Sequence, residues 1–543
     1  MPSRRVFFFW RPHRLDAVAG TRAPRPEPRL SAILSPTVPR RPLLLAALAA
    51  VALVVVGRGV IFMAPGVRFD ADQAVVGLMA KHISEGRAFP LYFYGQDYLL
   101  ALEAYAAAPV MWLLGPTEVA LKLPLLVMNV ATVLLLVWRA HRDLGLSPWL
   151  ALAGALPLAL PAVTPGSRLM DAMGGNVEPL LYALVLWTLR ARPWAFGVAL
   201  GVFVAHREFT ILAAAAIGGL DLWHRRRALL PLVRHWTIAA VCLVTAQLAV
   251  GALRPHGDMY GPNSAPREAF LNISARDAIA AQVCLTPSTW PGRGRELLAS
   301  HLPLMAGGVP GPMLDVTISS GMGHGNPGLA PWVLALTLAG LACGGFAARR
   351  AAEPPRATAP GIPGTALPGY LVAVGLLSTL VYGFVACSQI SQATLRYDLL
   401  LLFLPSGALL AGLHWPVPAA RAGLVTATLV WAGLNLSDYL ALAGEVRSGR
   451  WPDRRGEAVR ALEARGFDTL WGDYRLAYVL SFRSQERLKV AALTVHRVDE
   501  YARLAAARDV PFVKQGVCAD GREFVPGIWL CPPPAPAERP PVY

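Results

Sequence analysis

Residues 43–64 read LLLAALAAVALVVVGRGVIFMA, apolar throughout except for Arg58. A helix needs about 20 such residues to cross the hydrocarbon of a bilayer. In lipid only helices and closed barrels satisfy every backbone polar group. Runs of the same kind recur at 118–138, 148–163, 177–189, 232–253, 330–348, 370–386, 397–414 and 422–440, with a short pair inside 194–220. Only 15% of the 543 residues are charged and 55% are hydrophobic, whereas a soluble domain averages about 25% charged. The chain reads as a polytopic α-helical membrane protein of about 9–11 spans.

The formal net charge of +16 does not predict nucleic-acid binding, because no compact Lys/Arg patch with interleaved aromatics occurs. The arginines instead cluster between spans: Arg4, Arg5, Arg40 and Arg41; Arg139 and Arg142; Arg190 and Arg192; Arg225 to Arg227; Arg349 and Arg350. An even number of crossings separates each cluster from the next, so a positive-inside assignment closes without contradiction. It predicts a disordered, Arg/Pro-rich cytoplasmic tail at 1–41 and a membrane domain at 42–440. The segment 441–543 falls outside the cytoplasm, with the loops 65–117, 164–176, 254–329 and 387–396. The multi-pass protein is expected in a bacterial inner or plasma membrane.

From Pro452 the composition changes. DRRGEAVRALEARG, YRLAYVLSFRS and RVDEYARLAAARD have helical patterns, while TLWGD, LKVAALT and VPFVKQG read as strands. The alternation predicts a small soluble α/β domain with a Pro-rich tail. No Gly-rich phosphate loop follows its strands, so nucleotide binding is not expected there. Cys242, Cys343 and Cys387 read as packing residues beside apolar spans, Cys284 stands alone in a polar loop, and Cys518 and Cys531 can pair if the tail is outside. His256, His301 and His324 lack metal-ligand spacing, so no cofactor is predicted and the metal requirement is open.

Chemistry-bearing residues gather in the first outer loop, RFDADQAVVGLMAKHISEGRAFPLYFYGQDYLLALEAY. Val75, Val76, Met79 and Ile83 recur at helical spacing, predicting a helix that lies along the membrane surface. Asp70 and Gln73 fit a capping box at its start. Asp72 then sits in the first turn without a capping duty, either as a favourable first-turn acid or as a proton acceptor. Gly95 allows a turn with Gln96 and Asp97 at its rim, followed by Tyr98. Glu103 is the single charge of an apolar helix and must face a polar cavity or reach interfacial water. On the same face Arg396, beside Tyr397, opposes the positive-inside trend; it suits bidentate phosphate pairing or snorkelling. Arg168 and Glu178 flank a Gly-Gly turn. Each limb of 194–220 is too short to cross, which puts His206, Arg207 and Glu208 at the tip of a shallow hairpin, paired for structure or lining a wet cavity.

The order of these residues resembles membrane glycosyltransferases of the GT-C fold. It is similar in particular to the family-39 group of protein O-mannosyl and lipid A aminoarabinose transferases. The matching positions are Phe69, Asp72, Gln73, Ala80, Ile83, Gly86, Pro90, Gly95 and Tyr98, with Arg396-Tyr397 before a later span. The resemblance implies an extracytoplasmic site supplied by a polyprenyl-phosphate sugar. It further implies an inverting-type transfer to a glycan, lipid or protein hydroxyl, with Asp72 as base. Asp70, Gln73, Gln96, Asp97, Tyr98, Glu103, His206, Arg207, Arg396 and Tyr397 are then the expected substrate contacts. Two departures limit the carry-over: the family's Asp-Glu pair is Asp72-Gln73, and its Glu-Lys-Pro run is replaced by Leu99, Leu100 and Ala101. The competing expectations are a transporter or lipid flippase, for which inverted repeats are missing, and a non-catalytic scaffold.

Overall fold

Hydropathy alone places most of the helices. The structure, a computed structural model, describes residues 40–96, 98–225, 229–253, 258, 260–262, 283–307, 329–350, 362–415, 417–495 and 497–539. Its helices run α1 (Arg40–Ile61), α2 (Ala71–Ser84), α3 (Leu102–Leu114), α4 (Glu118–Leu144), α5 (Pro148–Ala159), α6 (Val163–Arg168), α7 (Glu178–Leu189), α8 (Pro193–His206), α9 (Thr210–Arg225) and α10 (Leu229–Leu253). They continue with α11 (Trp290–Glu296), α12 (Leu302–Ala306), α13 (Leu329–Arg350), α14 (Leu367–Phe384), α15 (Phe403–His414) and α16 (Pro418–Arg447). Among the described residues five helices are long and apolar enough to cross a membrane, and shorter apolar helices such as α5, α7, α8 and α9 stand between them.

The packing is that of helices in lipid. Gly197 and Gly201 of α8 meet α10, where an added Cβ on Gly197 would strike the Ala239 carbonyl; Gly340 of α13 abuts the backbone at Ala408 in the same way. Small residues one turn apart let backbones approach closely where no hydrophobic force drives helices together. The outer side of α10 leaves Leu230, Val241 and Leu248 exposed, as lipid-facing positions are. Arg58, the one charge of the first span, is buried; it donates to the Ala159 carbonyl (2.8 Å) and to Asn129 Oδ1 (2.9 Å).

Beyond α16 the chain forms α17 (Arg454–Glu463), β1 (Thr469–Gly472), α18 (Tyr474–Arg483), β2 (Lys489–Ala492), α19 (Asp499–Ala506), β3 (Phe512–Gln515), β4 (Arg522–Val525) and β5 (Ile528–Cys531). The sheet order is β2-β1-β3-β5-β4. Its first three strands are parallel, and β3, β5 and β4 pair antiparallel. Asp473 caps α18 by accepting from the Leu476 amide (3.0 Å). The β4–β5 hairpin stands where the sequence suggests only a Pro-rich tail, and the Cys518–Cys531 disulfide closes it.

The first loop and the C-terminal domain are built into one another. Val75, Val76 and Met79 of α2 are buried as their spacing predicts, with His82 on the same side; Gly77 and Lys81 on the other side are buried as well, Gly77 against Phe482 of α18 and Lys81 against Glu486. A Cβ on Gly77 would come within 2.7 Å of the Phe482 ring, so only glycine admits that ring. At the far end, Glu486 accepts from Lys81 Nζ (2.6 Å), Arg87 Nη1 (2.6 Å) and Tyr501 Oη (2.7 Å), and its other contact is His82 Nε2 (3.0 Å). Gln485 and Glu486 hold left-handed backbone, φ 55° and 67°, a conformation that non-glycine residues keep only where the surroundings enforce it.

Candidate active site

The turn leading into α2 is fixed from below. Lys122, fully buried in α4, donates to the carbonyls of Phe62 (2.8 Å) and Arg68 (2.8 Å). Arg68 Nε in turn meets Asp171 Oδ2 at 2.5 Å. Asp70 caps α2 by accepting from the Gln73 amide (3.1 Å). The reciprocal half of the expected capping box does not form: the Gln73 side chain donates to Asp171 Oδ1 (3.3 Å) instead. Burial first, then neighbouring carboxylates, push the Asp70 carboxyl up; burial likewise raises Asp171, against Arg68.

Asp72 is thereby left projecting from the first turn, part-exposed. Its Oδ1 accepts from Tyr474 Oη at 2.6 Å, and its Oδ2 lies 3.7 Å from Arg396 Nη1. Burial, followed by the Asp72 charge, raises the Tyr474 phenol far above its ordinary value, so it stays a hydrogen-bond donor. The Arg396 guanidinium is only weakly engaged. Nη2 donates to Tyr397 Oη (3.1 Å), Nη1 touches the Met173 sulfur (3.4 Å), and Nε has no partner. A part-buried guanidinium with uncommitted donors is suited to a phosphate.

Three of the expected substrate contacts are buried and bonded to protein groups. Glu103 is buried and accepts from the amides of Gly174 (2.7 Å) and Gly175 (2.5 Å), so it neither faces a cavity nor reaches water. Arg207 donates from Nε to the Gly175 carbonyl (3.0 Å) and from Nη2 to the Met173 carbonyl (3.5 Å). His206 is fully buried against Tyr182 Oη (2.8 Å). Glu103 and Arg207 thereby hold the 174–175 turn that follows Met173, while Phe209 at the hairpin tip packs on Tyr397 (5.7 Å). Tyr98 is exposed, Gln96 is half-buried with its amide bonded to the Phe93 carbonyl (2.9 Å), and Asp97 lies outside the described residues.

Two participants come from the C-terminal domain, and nothing in their local sequence marks them. Tyr474 opens an ordinary amphipathic helix. Arg497 is buried; it donates to the carbonyls of Tyr94 and Gly95 (3.1 Å each), and its guanidinium stands 5.8 Å from the Tyr474 ring. Cys387, read as a packing residue, instead forms a disulfide with Cys284 and so ties the long loop to the segment before Arg396. Among the described residues no group of three or more His, Cys, Asp or Glu side chains is placed to hold a metal ion.

This architecture has a counterpart among solved structures. ArnT from Cupriavidus metallidurans, bound to undecaprenyl phosphate, superposes with a TM-score of 0.54 at 12% identity, covering 92% of this chain and 99% of that one. The apo form of ArnT gives 0.42 at 15% identity over 92% and 99% of the two chains. The archaeal oligosaccharyltransferase AglB from Archaeoglobus fulgidus, in complex with an inhibitory peptide and a dolichol-phosphate, gives 0.45 at 12% identity over 87% and 69%. No family model matches the chain, and no curated protein matches it. The fold is GT-C-like, a polytopic helical membrane domain followed by a small mixed sheet.

Proposed function

We propose that the protein transfers a sugar from a polyprenyl-phosphate donor to an acceptor hydroxyl on the extracytoplasmic side of the membrane, with inversion. The observation that carries this reading is the placement of Asp72 Oδ2 3.7 Å from a weakly engaged Arg396, where the first outer loop meets the span after 387–396. The acceptor oxygen forms a bond to the anomeric carbon, its proton passes to Asp72, and the bond from that carbon to the phosphate oxygen breaks. Polyprenyl phosphate leaves with the electron pair, and Arg396 neutralises the charge it gains. Tyr474 orients the carboxylate; Arg497 braces Tyr474 and the 94–95 turn. The disulfides Cys284–Cys387 and Cys518–Cys531 lie in the segments that the arginine pattern assigns to the outside, where disulfides persist.

Purified protein incubated with a panel of radiolabelled polyprenyl-phosphate sugars is expected to release label from at least one lipid. If none of the panel is consumed, with a cell-envelope extract supplied as acceptor, the reading fails. Arg396→Lys keeps the charge but not the planar fork. It is expected to weaken binding of undecaprenyl phosphate by about tenfold, roughly 1.4 kcal/mol. Unchanged affinity would remove Arg396 from donor binding.

A further inference from the structure

A cavity of about 1020 Å³ opens at one end of the C-terminal sheet, with Gly66 and Phe69 of the first loop at its edge. Its position follows from the sheet order. From β1 the chain crosses through α18 to β2 on one side, while β3 lies on the other side of β1. The order therefore reverses between β1 and β3. Their carboxyl ends, Gly472–Asp473 and Gln515–Gly516, part into the crevice where open α/β sheets receive ligands. Asp473 holds the crevice floor: one carboxylate oxygen caps α18 and the other accepts from the Gln515 amide (2.7 Å).

The walls specify a ligand. Five lining side chains are arginines and three are carboxylates. Each of the carboxylates already serves protein groups: Asp473 as above, Asp453 by Arg483 and the Gly456 amide, and Glu445 by Arg450. Arg454 and Arg475 stand exposed on the rim. Trp451 offers a flat apolar wall, the surface on which the C–H face of a sugar ring packs. Its indole Nε1 and Gln515 Oε1 are buried atoms without a hydrogen-bond partner. The cavity also shares Phe69 and Tyr474 with the Asp72 site, and Tyr474 is the residue that bonds Asp72.

The geometry points to an acceptor site for an anionic glycan, one whose phosphate or other acidic group meets the rim arginines while a sugar ring lies on Trp451. This assignment rests on the sugar-transfer reading for the word acceptor, not for the binding. It makes the C-terminal domain the part that selects the acceptor, one tyrosine away from the base.

Calorimetric titration of the full-length protein in detergent, with three probes, tests it: a disaccharide carrying one phosphate, the same disaccharide without it, and inorganic phosphate. The phosphorylated disaccharide is expected to bind at least about tenfold more tightly than either of the others. The pair Arg454→Glu and Arg475→Glu, both exposed and so compatible with folding, is expected to abolish that preference, and Trp451→Ala to weaken both sugars. Equal binding of neutral and phosphorylated sugar, equal binding of inorganic phosphate, or charge reversal without effect would each overturn the assignment. Undecaprenyl phosphate binding, measured on the same samples, separates the two readings: its failure with sugar binding intact counts against transfer and leaves the glycan site standing.

Discussion

Asp72→Asn lowers sugar transfer by about 10²–10⁴-fold, the usual contribution of a positioned base. That corresponds to roughly 2.7–5.5 kcal/mol in the barrier. The substitution is nearly isosteric, and the amide oxygen can still accept from Tyr474 Oη, which lies 2.6 Å from Oδ1. The lost ion pair with Arg396 is a loose 3.7 Å contact between part-exposed groups, so the melting temperature is expected to hold. Donor affinity should not fall either, because the guanidinium no longer shares its charge with a carboxylate. The diagnostic pattern is a loss in kcat with KM for the donor unchanged or lower. Wild-type turnover in a purified assay would take Asp72 out of the mechanism; a matched loss of melting temperature would make its role structural.

Glu486→Gln has the largest structural effect. The carboxylate is buried against Lys81, His82, Arg87 and Tyr501. Removing its charge strands at least one buried cation, a loss of about 3–5 kcal/mol for pairs of this kind. Burial opposes ionisation of Glu486, yet the bonds and charges of His82 and Lys81 outweigh it and hold its carboxyl far below the ordinary range. Because the folded value lies below the unfolded one of about 4.3, the contribution is present above that pH and is lost as pH falls through the folded value. Melting curves from pH 7 to pH 3 are expected to show the wild type losing stability below about pH 4.3. The variant, already destabilised, loses less over the same interval. Parallel curves would show that this cluster does not secure the domain. Since Tyr474 and Arg497 enter the site on that domain, the variant should also lose transfer.

What the sequence revealed, and what it hid, divides along contact distance. The spans were legible because solvation by lipid acts on each run separately. Asp72 and Arg396 stood out because each violates a local rule, one an acid without a capping duty, the other a cation on the outer face. The two-sided burial of α2 was not legible: Lys81 and His82 look like surface residues until Glu486 is brought to them from 405 and 404 positions away. Glu103, Arg207 and His206 stand out in the sequence as costly groups in apolar surroundings, and all three are buried. Their partners, backbone groups of the 173–175 turn and Tyr182, are invisible to pattern. Cys284 and Cys387, 103 residues apart, offered no spacing to read. The β4–β5 hairpin was masked by the prolines that follow it.

The bond from Tyr474 to Asp72 joins residues 402 positions apart, and that separation sets an order of events during synthesis. When the first helices have already entered the bilayer, Asp72 has no Tyr474 hydroxyl to orient it and the crevice between β1 and β3 does not exist. A chain arrested before α18 is therefore expected to transfer no sugar, because the hydroxyl that reaches back to Asp72 has not yet been made.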